Sequence, residues 1–187
     1  SCNNCIVGNN ITNNPGGILL EYSSNNNSVY GNNVTNNLDY GIYQSSNNNS
    51  VYGNNVTNNY YGILLSSSSN SRIVGNNVTN NYYGILLQYS SNNMLRSNCM
   101  ASNRYNFGVE GVFINDIDVS NIVDGKPIYY WINEENRAVL PDAGYVALVN
   151  CTHITVQNLN LTNNVQGILL VYTTNTTLDK NNITYCE

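Results

Sequence analysis

The sequence predicts an all-β protein, a right-handed parallel β-helix (solenoid) of about seven to eight coils of about 22 residues, with one inserted hairpin or loop. The first observation is a nine-residue phrase at 29–37 that returns almost unaltered at 51–59 and 73–81. The second is a Gly-Ile phrase that follows each copy at a nearly fixed distance, as at Gly62 and Gly84. Self-similarity at this period is typical of solenoids, in which each repeat forms one coil and buries its apolar face only against its neighbours.

The spacing of the apolar residues identifies the kind of solenoid. Branched residues occur in short runs between Asn, Gly and Ser, and no run has the length or the 3.6-residue spacing of a helix. We therefore expect three short strands per coil, with coils stacked about 4.8 Å apart in parallel sheets. A leucine-rich repeat is disfavoured because no repeat contains a helix-forming stretch or its Leu-x-x-Leu-x-Leu pattern.

Superimposing the repeats predicts three inward columns of apolar residues. β-Branched side chains suit these columns because they are stiff and pack well on a pleated surface. The columns are Ile6, Val29, Val51, Ile73, Leu95, Val156 and Leu178; Ile11, Val34, Val56, Val78, Met100, Leu161 and Ile183; and Ile18, Ile42, Ile63, Ile85, Phe107 and Ile168, the last flanked by Leu20, Leu65, Leu87 and Leu170.

The period is interrupted once, and the predicted domain organisation follows from that. We expect a single β-helix domain over 1–187, with regular coils at 1–110, an inserted strand-hairpin-loop segment at 111–144 and resumed coils at 145–187. Asp124-Gly125-Lys126-Pro127 is typical of a tight turn between two strands, so the segment is predicted to be extruded from the stack.

Asn accounts for 42 of the 187 residues and falls mainly at the corners. Asn enters the left-handed region at low cost, and its amide can bond to an equivalent amide one coil away. Asn33, Asn55 and Asn77 are therefore predicted to form a structural Asn ladder without a chemical role.

Composition limits the partners and the compartment. Charged residues make up 9% of the chain and the net charge is −5, so nucleic acid is not expected as a partner. No apolar stretch is long enough for a membrane span. The chain starts inside a repeat without a signal peptide, which fits a mature or trimmed product. Ten Asn-x-Ser/Thr sequons occur, mostly as by-products of the repeat, at Asn10, Asn26, Asn33, Asn48, Asn55, Asn77, Asn150, Asn160, Asn175 and Asn182.

Several motifs together resemble one known family. The Gly-Ile-x-Leu and Gly-Asn-Asn-x-Thr-Asn-Asn repeats, the Asp-Gly-Lys-Pro-Ile-Tyr-Tyr-Trp segment at 124–131 and the phrase at 156–164 are similar to NosD-type β-helix proteins of the pectate-lyase-like superfamily, especially archaeal surface members. The resemblance implies a β-helix located extracellularly, at the cell surface or in the periplasm. It also implies a functionally mixed family, in which some members assist copper-site assembly, others bind or process polysaccharide, and many have no known role.

No metal or other cofactor is expected from the residues. Soft-metal sites need clustered Cys, His or Met, whereas the chain has one His, two Met and five Cys spread along it. His153, beside Cys151, is expected to be structural. Cys2, Cys5 and Cys186 are candidates for disulfides within the chain or between chains, since secreted proteins favour that state.

Catalysis is not expected, although polysaccharide lyase or hydrolase activity is kept as an alternative. Asp116 and Asp118 alternate so as to share one strand face, with Asp124 and Lys126 nearby. Paired carboxylates facing a groove are what glycoside hydrolysis needs. A solvated hairpin with turn-forming Asp is favoured, because the repeated coils supply no converging acid or base.

An aromatic stripe is the candidate binding surface. Tyr40, Tyr61, Tyr83 and Tyr105 occupy equivalent places in four successive coils and are predicted to point outward. Tyr129, Tyr130 and Trp131 are predicted to form a second group of this kind. Such rings can stack on sugars, or they can pack against a neighbouring chain.

The function favoured by the sequence is structural. No amphipathic capping helix is predicted at either end, and open strand edges invite further strands. We therefore expect a secreted surface β-helix that assembles with copies of itself, as a surface layer, sheath or filament subunit. The competing explanation of the uncapped ends is that the chain is a piece of a longer protein with further coils. Binding of surface polysaccharide is the first alternative, and copper handling of the NosD type is the second.

Overall fold

The structure is a computed structural model that describes residues 3–187, and these residues form 25 strands and no helix. They build a parallel β-solenoid of about eight turns, which confirms the predicted fold class. In chain order the strands are β1 (Cys5–Val7), β2 (Asn10–Thr12), β3 (Ile18–Leu20), β4 (Ser28–Tyr30), β5 (Asn33–Thr35), β6 (Tyr40–Gln44), β7 (Ser50–Tyr52), β8 (Asn55–Thr57), β9 (Tyr61–Ser66), β10 (Arg72–Val74), β11 (Asn77–Thr79), β12 (Tyr83–Gln88), β13 (Met94–Arg96), β14 (Cys99–Ala101), β15 (Tyr105–Glu110), β16 (Asp116–Ile117), β17 (Ile122–Val123), β18 (Lys126–Ile132), β19 (Glu135–Ala138), β20 (Tyr145–Val149), β21 (Thr152–Gln157), β22 (Asn160–Thr162), β23 (Ile168–Val171), β24 (Thr177–Asp179) and β25 (Asn182–Thr184).

Residues 5–123 form what we call the first stack, in which successive coils build three parallel sheets. Sheet 1 has the order β1-β4-β7-β10-β13-β16, sheet 2 begins β2-β5-β8-β11-β14-β17, and sheet 3 has the order β3-β6-β9-β12-β15. Val34, Val56 and Val78 are direct partners on adjacent strands of sheet 2. The inward columns predicted for this part of the chain are therefore confirmed.

The corners of the first stack are held by rows of buried Asn side chains. Asn54 shows the pattern: its backbone N–H and its Nδ2 donate to Asn76 Oδ1 at 3.1 and 3.0 Å, and Nδ2 also donates to the Val29 carbonyl at 2.9 Å. Each amide thus satisfies backbone groups that the turning chain would otherwise bury unpaired. The three rows are Asn32, Asn54, Asn76, Asn98 and Asn121; Asn27, Asn49, Asn93 and Asn115, with the hydroxyl of Ser71 in the third place; and Asn37, Asn59, Asn81 and Asn103.

The tight turn predicted at Asp124 and Gly125 is present. Both residues have positive φ, 45° and 82°, and β17 and β18 pair antiparallel on either side of them. However, the segment at 111–144 is not extruded as a whole: β18 pairs in parallel with β20, and its Ile128 and Tyr130 are buried. The four residues of β19 are exposed, but this strand is also part of a sheet, since it pairs in parallel with β21.

Residues 145–184 form the second stack, and here the predicted columns are right in part. Val156 pairs with Leu178 and Leu161 with Ile183 as predicted, but neither pair continues a column of the first stack. Ile168 of β23 pairs with Val146 instead of Phe107, so β23 extends sheet 2 and not sheet 3. The strands of Leu178 and Ile183 lie in two further small sheets, β19-β21-β24 and β22-β25. The physical reason is the hairpin: because β18 occupies the edge of sheet 2, the resumed coils are built on that sheet as their wall.

The shared wall, β18-β20-β23, separates two hydrophobic cores. Side chains alternate along each strand, so Tyr130 and Ala147 face the core of the first stack, whereas Tyr129 and Val146 face that of the second. The Tyr145 ring packs edge-on against Phe107 with centroids 5.0 Å apart, inside the first core. The two stacks therefore share one wall and are displaced sideways from each other.

Candidate functional site

The predicted tyrosine stripe exists as a column on sheet 3. Tyr40 is the direct partner of Tyr61, Tyr61 of Tyr83, and Tyr83 of Tyr105. The Tyr61 and Tyr83 rings are stacked with centroids 5.1 Å apart. A second column that the sequence analysis missed runs beside it, where Tyr60 and Tyr82 stack at 4.8 Å. The adjacent Tyr-Tyr pairs at 60–61 and 82–83 were the signal for it.

The stacked rings limit what this surface can bind. Tyr61 and Tyr83, and likewise Tyr60 and Tyr82, each cover one face of the other ring, so fewer ring faces are left for a ligand. The guanidinium of Arg104 lies 5.5 Å from the ring centroids of both Tyr82 and Tyr105, at the end of the pile. Tyr105 itself is buried with Leu64, Leu86 and Val165 in a small cluster on the outside of sheet 3. The geometry is that of packing more than that of a sugar platform, which needs open ring faces.

Tyr83 is tied to the last residue of the chain. Its hydroxyl donates to the Glu187 carboxylate, 2.9 and 3.0 Å from the two oxygens. Burial, and then the bond to Glu187, raises the pKa of the Tyr83 hydroxyl above its ordinary value. The column thus contributes to attaching the end of the second stack to the outside of the first.

Tyr129, Tyr130 and Trp131 do not form one outward group, contrary to the prediction. Tyr129 and Tyr130 are buried on opposite faces of β18, and their hydroxyls donate to the Asp142 carboxylate at 3.0 Å and to the Phe113 carbonyl at 2.6 Å. Trp131 is half-buried beneath Arg137, whose guanidinium carbon lies 4.4 Å from the ring centroid. Strand alternation separates the three side chains.

The cysteines are unpaired in the described residues. Cys5 and Cys99 are exposed, Cys186 is half-buried and Cys151 is buried, and all four are free thiols. Cys2 lies outside the described residues. Cys5 belongs to the first coil and Cys186 follows the last strand, so a disulfide between copies stays a prediction.

Asn33, Asn55 and Asn77 form a ladder on the outer face of sheet 2. Asn77 Nδ2 donates to Asn55 Oδ1, and Asn55 Nδ2 to Asn33 Oδ1, each at 2.8 Å. These side chains are exposed, in contrast to the buried rows that begin one residue earlier in the sequence. Cys99 takes the next place, opposite Asn77.

Of the acidic residues considered for catalysis, Asp116 and Asp118 share one basic partner, and Asp124 bonds to other groups. Arg96 forms ion pairs with Asp116 at 2.6 Å and with Asp118 at 2.9 Å. Asp124 instead accepts hydrogen bonds from the Ser102 N–H at 2.9 Å and from Asn106 Nδ2 at 2.7 Å. Within residues 3–187, no three His, Cys, Asp or Glu side chains are grouped so as to hold a metal ion.

The last coil, β23 to β25, leaves its core open. Leu178 and Ile183 are 47% and 43% exposed, although their equivalents one coil earlier, Val156 and Leu161, are buried. The first coil, β1 to β3, is open on the opposite side and leaves Ile6 and Ile11 only partly buried. An apolar column therefore reaches the surface at each end of the described structure.

Hydrogen-bond polarity distinguishes the two ends. In the first coil, Asn9 donates to Asn32 Oδ1 through its N–H and Nδ2 at 3.0 and 2.9 Å, and no described residue donates to its own Oδ1. In the last coil, Asn181 Oδ1 accepts from the Leu159 N–H at 3.0 Å, and its own N–H has no acceptor among residues 3–187. One end thus offers an amide acceptor where the other offers a donor.

Comparison with known proteins identifies the family. The profile of a family described as periplasmic copper-binding protein (NosD) matches residues 1–128 of the 187. Searches of curated proteins and of solved structures gave no significant match. Within the described residues, no helix has the length and hydrophobicity needed to cross a membrane. The description of the family as periplasmic agrees with the predicted envelope location. The chain belongs to the NosD family of β-helix proteins.

Proposed function

We propose that the chain is a structural, non-catalytic β-helix of the cell envelope, at the surface or in the periplasm, that assembles head to tail with copies of itself. The observation that carries the proposal is that the coil β23–β25, with its exposed Leu178 and Ile183, matches the coil β1–β3, with its partly buried Ile6 and Ile11. What covers such a coil best is another coil of the same repeat, and the chain supplies one in β1 to β3.

The two end coils match in sequence register. Ile6 precedes Asn9, Asn10 and Ile11 at the same spacing at which Leu178 precedes Asn181, Asn182 and Ile183. Stacking β1 of one copy on β24 of another, with β2 on β25, sets Ile6 over Leu178 and Ile11 over Ile183. β3 then lies over β23, which carries the same Gly-Ile-Leu-Leu phrase.

The hydrogen-bonding groups of the end coils are complementary as well. The free N–H of Asn181 meets the free Oδ1 of Asn9, as Asn54 meets Asn76 within the stack. In the outer ladder the direction is reversed: Asn182 Nδ2 donates to Asn160 Oδ1, one coil earlier, at 3.0 Å. Asn10 Nδ2 of one copy is therefore available to Asn182 Oδ1 of the other. Because the two ends differ, the contact is heterologous, and each copy can bind one further copy at either end.

Two charge substitutions test the proposal. Ile183→Asp blocks the last coil and Ile11→Asp blocks the first, because each buries a carboxylate in the contact. We expect the wild type to form larger species as its concentration rises, and each variant alone to remain monomeric in sedimentation velocity. Mixing the two variants should give a dimer and nothing larger, since one free first coil meets one free last coil.

The control is Leu19→Asp, which places the charge on an exposed outward side chain of the same first coil. It should assemble like the wild type. Monomeric wild type at all concentrations, or mixed variants that do not pair while circular dichroism shows both folded, would refute head-to-tail assembly.

The family description makes copper binding the competing function. Titrating the wild type with Cu(I) and Cu(II), and measuring assembly with and without a copper chelator, separates the two functions. Stoichiometric copper uptake by a monomer favours copper handling, whereas assembly that a chelator does not affect favours the structural role.

A further inference from the structure

We propose that the chain carries N-linked glycans on exposed turns, one at Asn175 and one at either Asn26 or Asn48, and none on its strands. This inference does not depend on head-to-tail assembly. The ligand is a glycan that an envelope oligosaccharyltransferase takes from a membrane lipid phosphate carrier.

Six of the ten sequons lie on strands, and their Asn side chains belong to the outer ladders. The Nδ2 groups of Asn33, Asn55, Asn77 and Asn182 donate to the Oδ1 one coil earlier, at 2.8 to 3.0 Å, and Asn10 and Asn160 accept such bonds. Most of these strands have a neighbour on each side at about 4.8 Å, so such a sequon enters an enzyme's active site only if the sheet is broken. The strand sequons begin at Asn10, Asn33, Asn55, Asn77, Asn160 and Asn182.

The other four sequons lie in turns, and their Asn residues are exposed with φ between 51° and 58°. Asn150 is held by a 2.6 Å bond from its Nδ2 to Asn133 Oδ1. The side-chain amides of Asn26, Asn48 and Asn175 make no hydrogen bond within residues 3–187.

The hydroxyl groups of these three sequons are unbonded as well. Ser28, Ser50 and Thr177 donate to no described residue through their side chains. Turn geometry, exposure and an unbonded amide and hydroxyl therefore coincide at three sequons. These are the features that an enzyme needs to reach the acceptor nitrogen and the hydroxyl together.

The distance between adjacent coils limits how many of these three sequons can carry a glycan on one chain. Asn26 and Asn48 are 22 residues apart in equivalent turns of adjacent coils, and the Asn26 N–H donates to the Asn47 carbonyl at 3.4 Å. Adjacent coils are about 4.8 Å apart, and a substituted sugar ring is wider than that, so only one of the two can be modified on a given chain. Asn175 has no such competitor, because the coil before it places His153 at the equivalent position.

The reaction balances without a redox partner. The Asn Nδ2 forms a bond to the anomeric carbon of the glycan, the bond from that carbon to the phosphate oxygen breaks, and the lipid phosphate leaves. Nδ2 loses one of its two protons, and the product is an N-substituted amide that keeps one N–H.

Glycopeptide mass spectrometry of the full chain, purified from the envelope of its own cells, tests the proposal. We expect up to two glycans per chain. Thr177→Ala should remove one. Ser50→Ala should leave the other glycan on Asn26 in every chain, so that the number of glycans per chain is unchanged, and only the double variant Ser28→Ala/Ser50→Ala should remove it.

Thr57→Ala, which destroys the strand sequon at Asn55, is the matched control and should change nothing. Three results would overturn the proposal: unmodified turns, a glycan on a strand Asn, or Asn26 and Asn48 modified on the same chain.

Discussion

Substituting one Asn of a buried row should lower the free energy of unfolding far more than substituting the exposed Asn that follows it in the sequence. Asn76 is 1% exposed; its Oδ1 accepts from the N–H and Nδ2 of Asn54 at 3.1 and 3.0 Å. Its Nδ2 donates to the Val51 carbonyl at 3.0 Å and to Asn98 Oδ1 at 2.9 Å. Asn76→Ala leaves the Asn54 N–H without its acceptor and removes one bond each from Asn54 Nδ2, the Val51 carbonyl and Asn98 Oδ1. Asn54 Nδ2 still donates to the Val29 and Tyr52 carbonyls, and Asn98 Oδ1 still accepts from the backbone N–H of residue 76. At about 1–3 kcal/mol for the unsatisfied N–H, with a smaller loss for each weakened group, we expect a loss of about 2–4 kcal/mol in the free energy of unfolding.

Asn77→Ala is the matched control. Asn77 is exposed, and the bond from its Nδ2 to Asn55 Oδ1 can be replaced by water, so the expected loss is about 1 kcal/mol or less. Neither residue has positive φ, so Ala adds no backbone strain at either position. Urea denaturation followed by far-ultraviolet circular dichroism measures both variants. Equal losses, or a larger loss for Asn77→Ala, would refute the structural role assigned to the buried rows.

Three further outcomes follow from local geometry. Gly62→Ala should destabilise by about 1–3 kcal/mol in the same assay, because its Cβ would lie 2.5 Å from Val78 Cγ1, whereas Gly53→Asn, at φ 62° in open space, should be neutral. Asp124→Asn should cost about 1–2 kcal/mol and speed limited proteolysis at the junction of the stacks, because the carboxylate oxygen that Asn106 bonds becomes an amide or turns away. Burial raises the pKa of the Tyr145 hydroxyl well above its ordinary value, so its neutral form is favoured in the folded state. Stability should be retained below about pH 10 and fall as the pH rises further, with a shallower fall in Tyr145→Phe; identical pH profiles would contradict this.

The first stack could be predicted from the sequence because each repeat encodes its own coil. The columns through Val34, Val56 and Val78 follow from the 22-residue spacing alone. The sequence analysis identified the exposed Asn ladder but missed the buried rows, since each Asn-Asn doublet offers two candidate positions. Alternation would have resolved it: because Val34 points inward, Asn33 on the same strand points outward, and the buried amide is that of Asn32 at the corner.

The position of the second stack could not be predicted in the same way. The phrase at 167–170 specifies a strand of the Gly-Ile-Leu-Leu kind, but it does not encode which sheet that strand extends. That choice depends on the reversal at Asp124 and Gly125 and on long-range pairing of β18 with β20. For the same reason, the burial of Tyr129 and Tyr130 was missed, since an aromatic run gives no sign that its strand is a wall between two cores.

Electron cryomicroscopy of the wild-type chain at high concentration, in the presence of reductant, tests the proposed assembly most directly. Head-to-tail stacking predicts unbranched rods in which β1 of each copy continues the sheet that ends at β24 of the next, with Ile6 beside Leu178. Particles one chain long at every concentration, or copies joined side by side through the tyrosine columns, would contradict it.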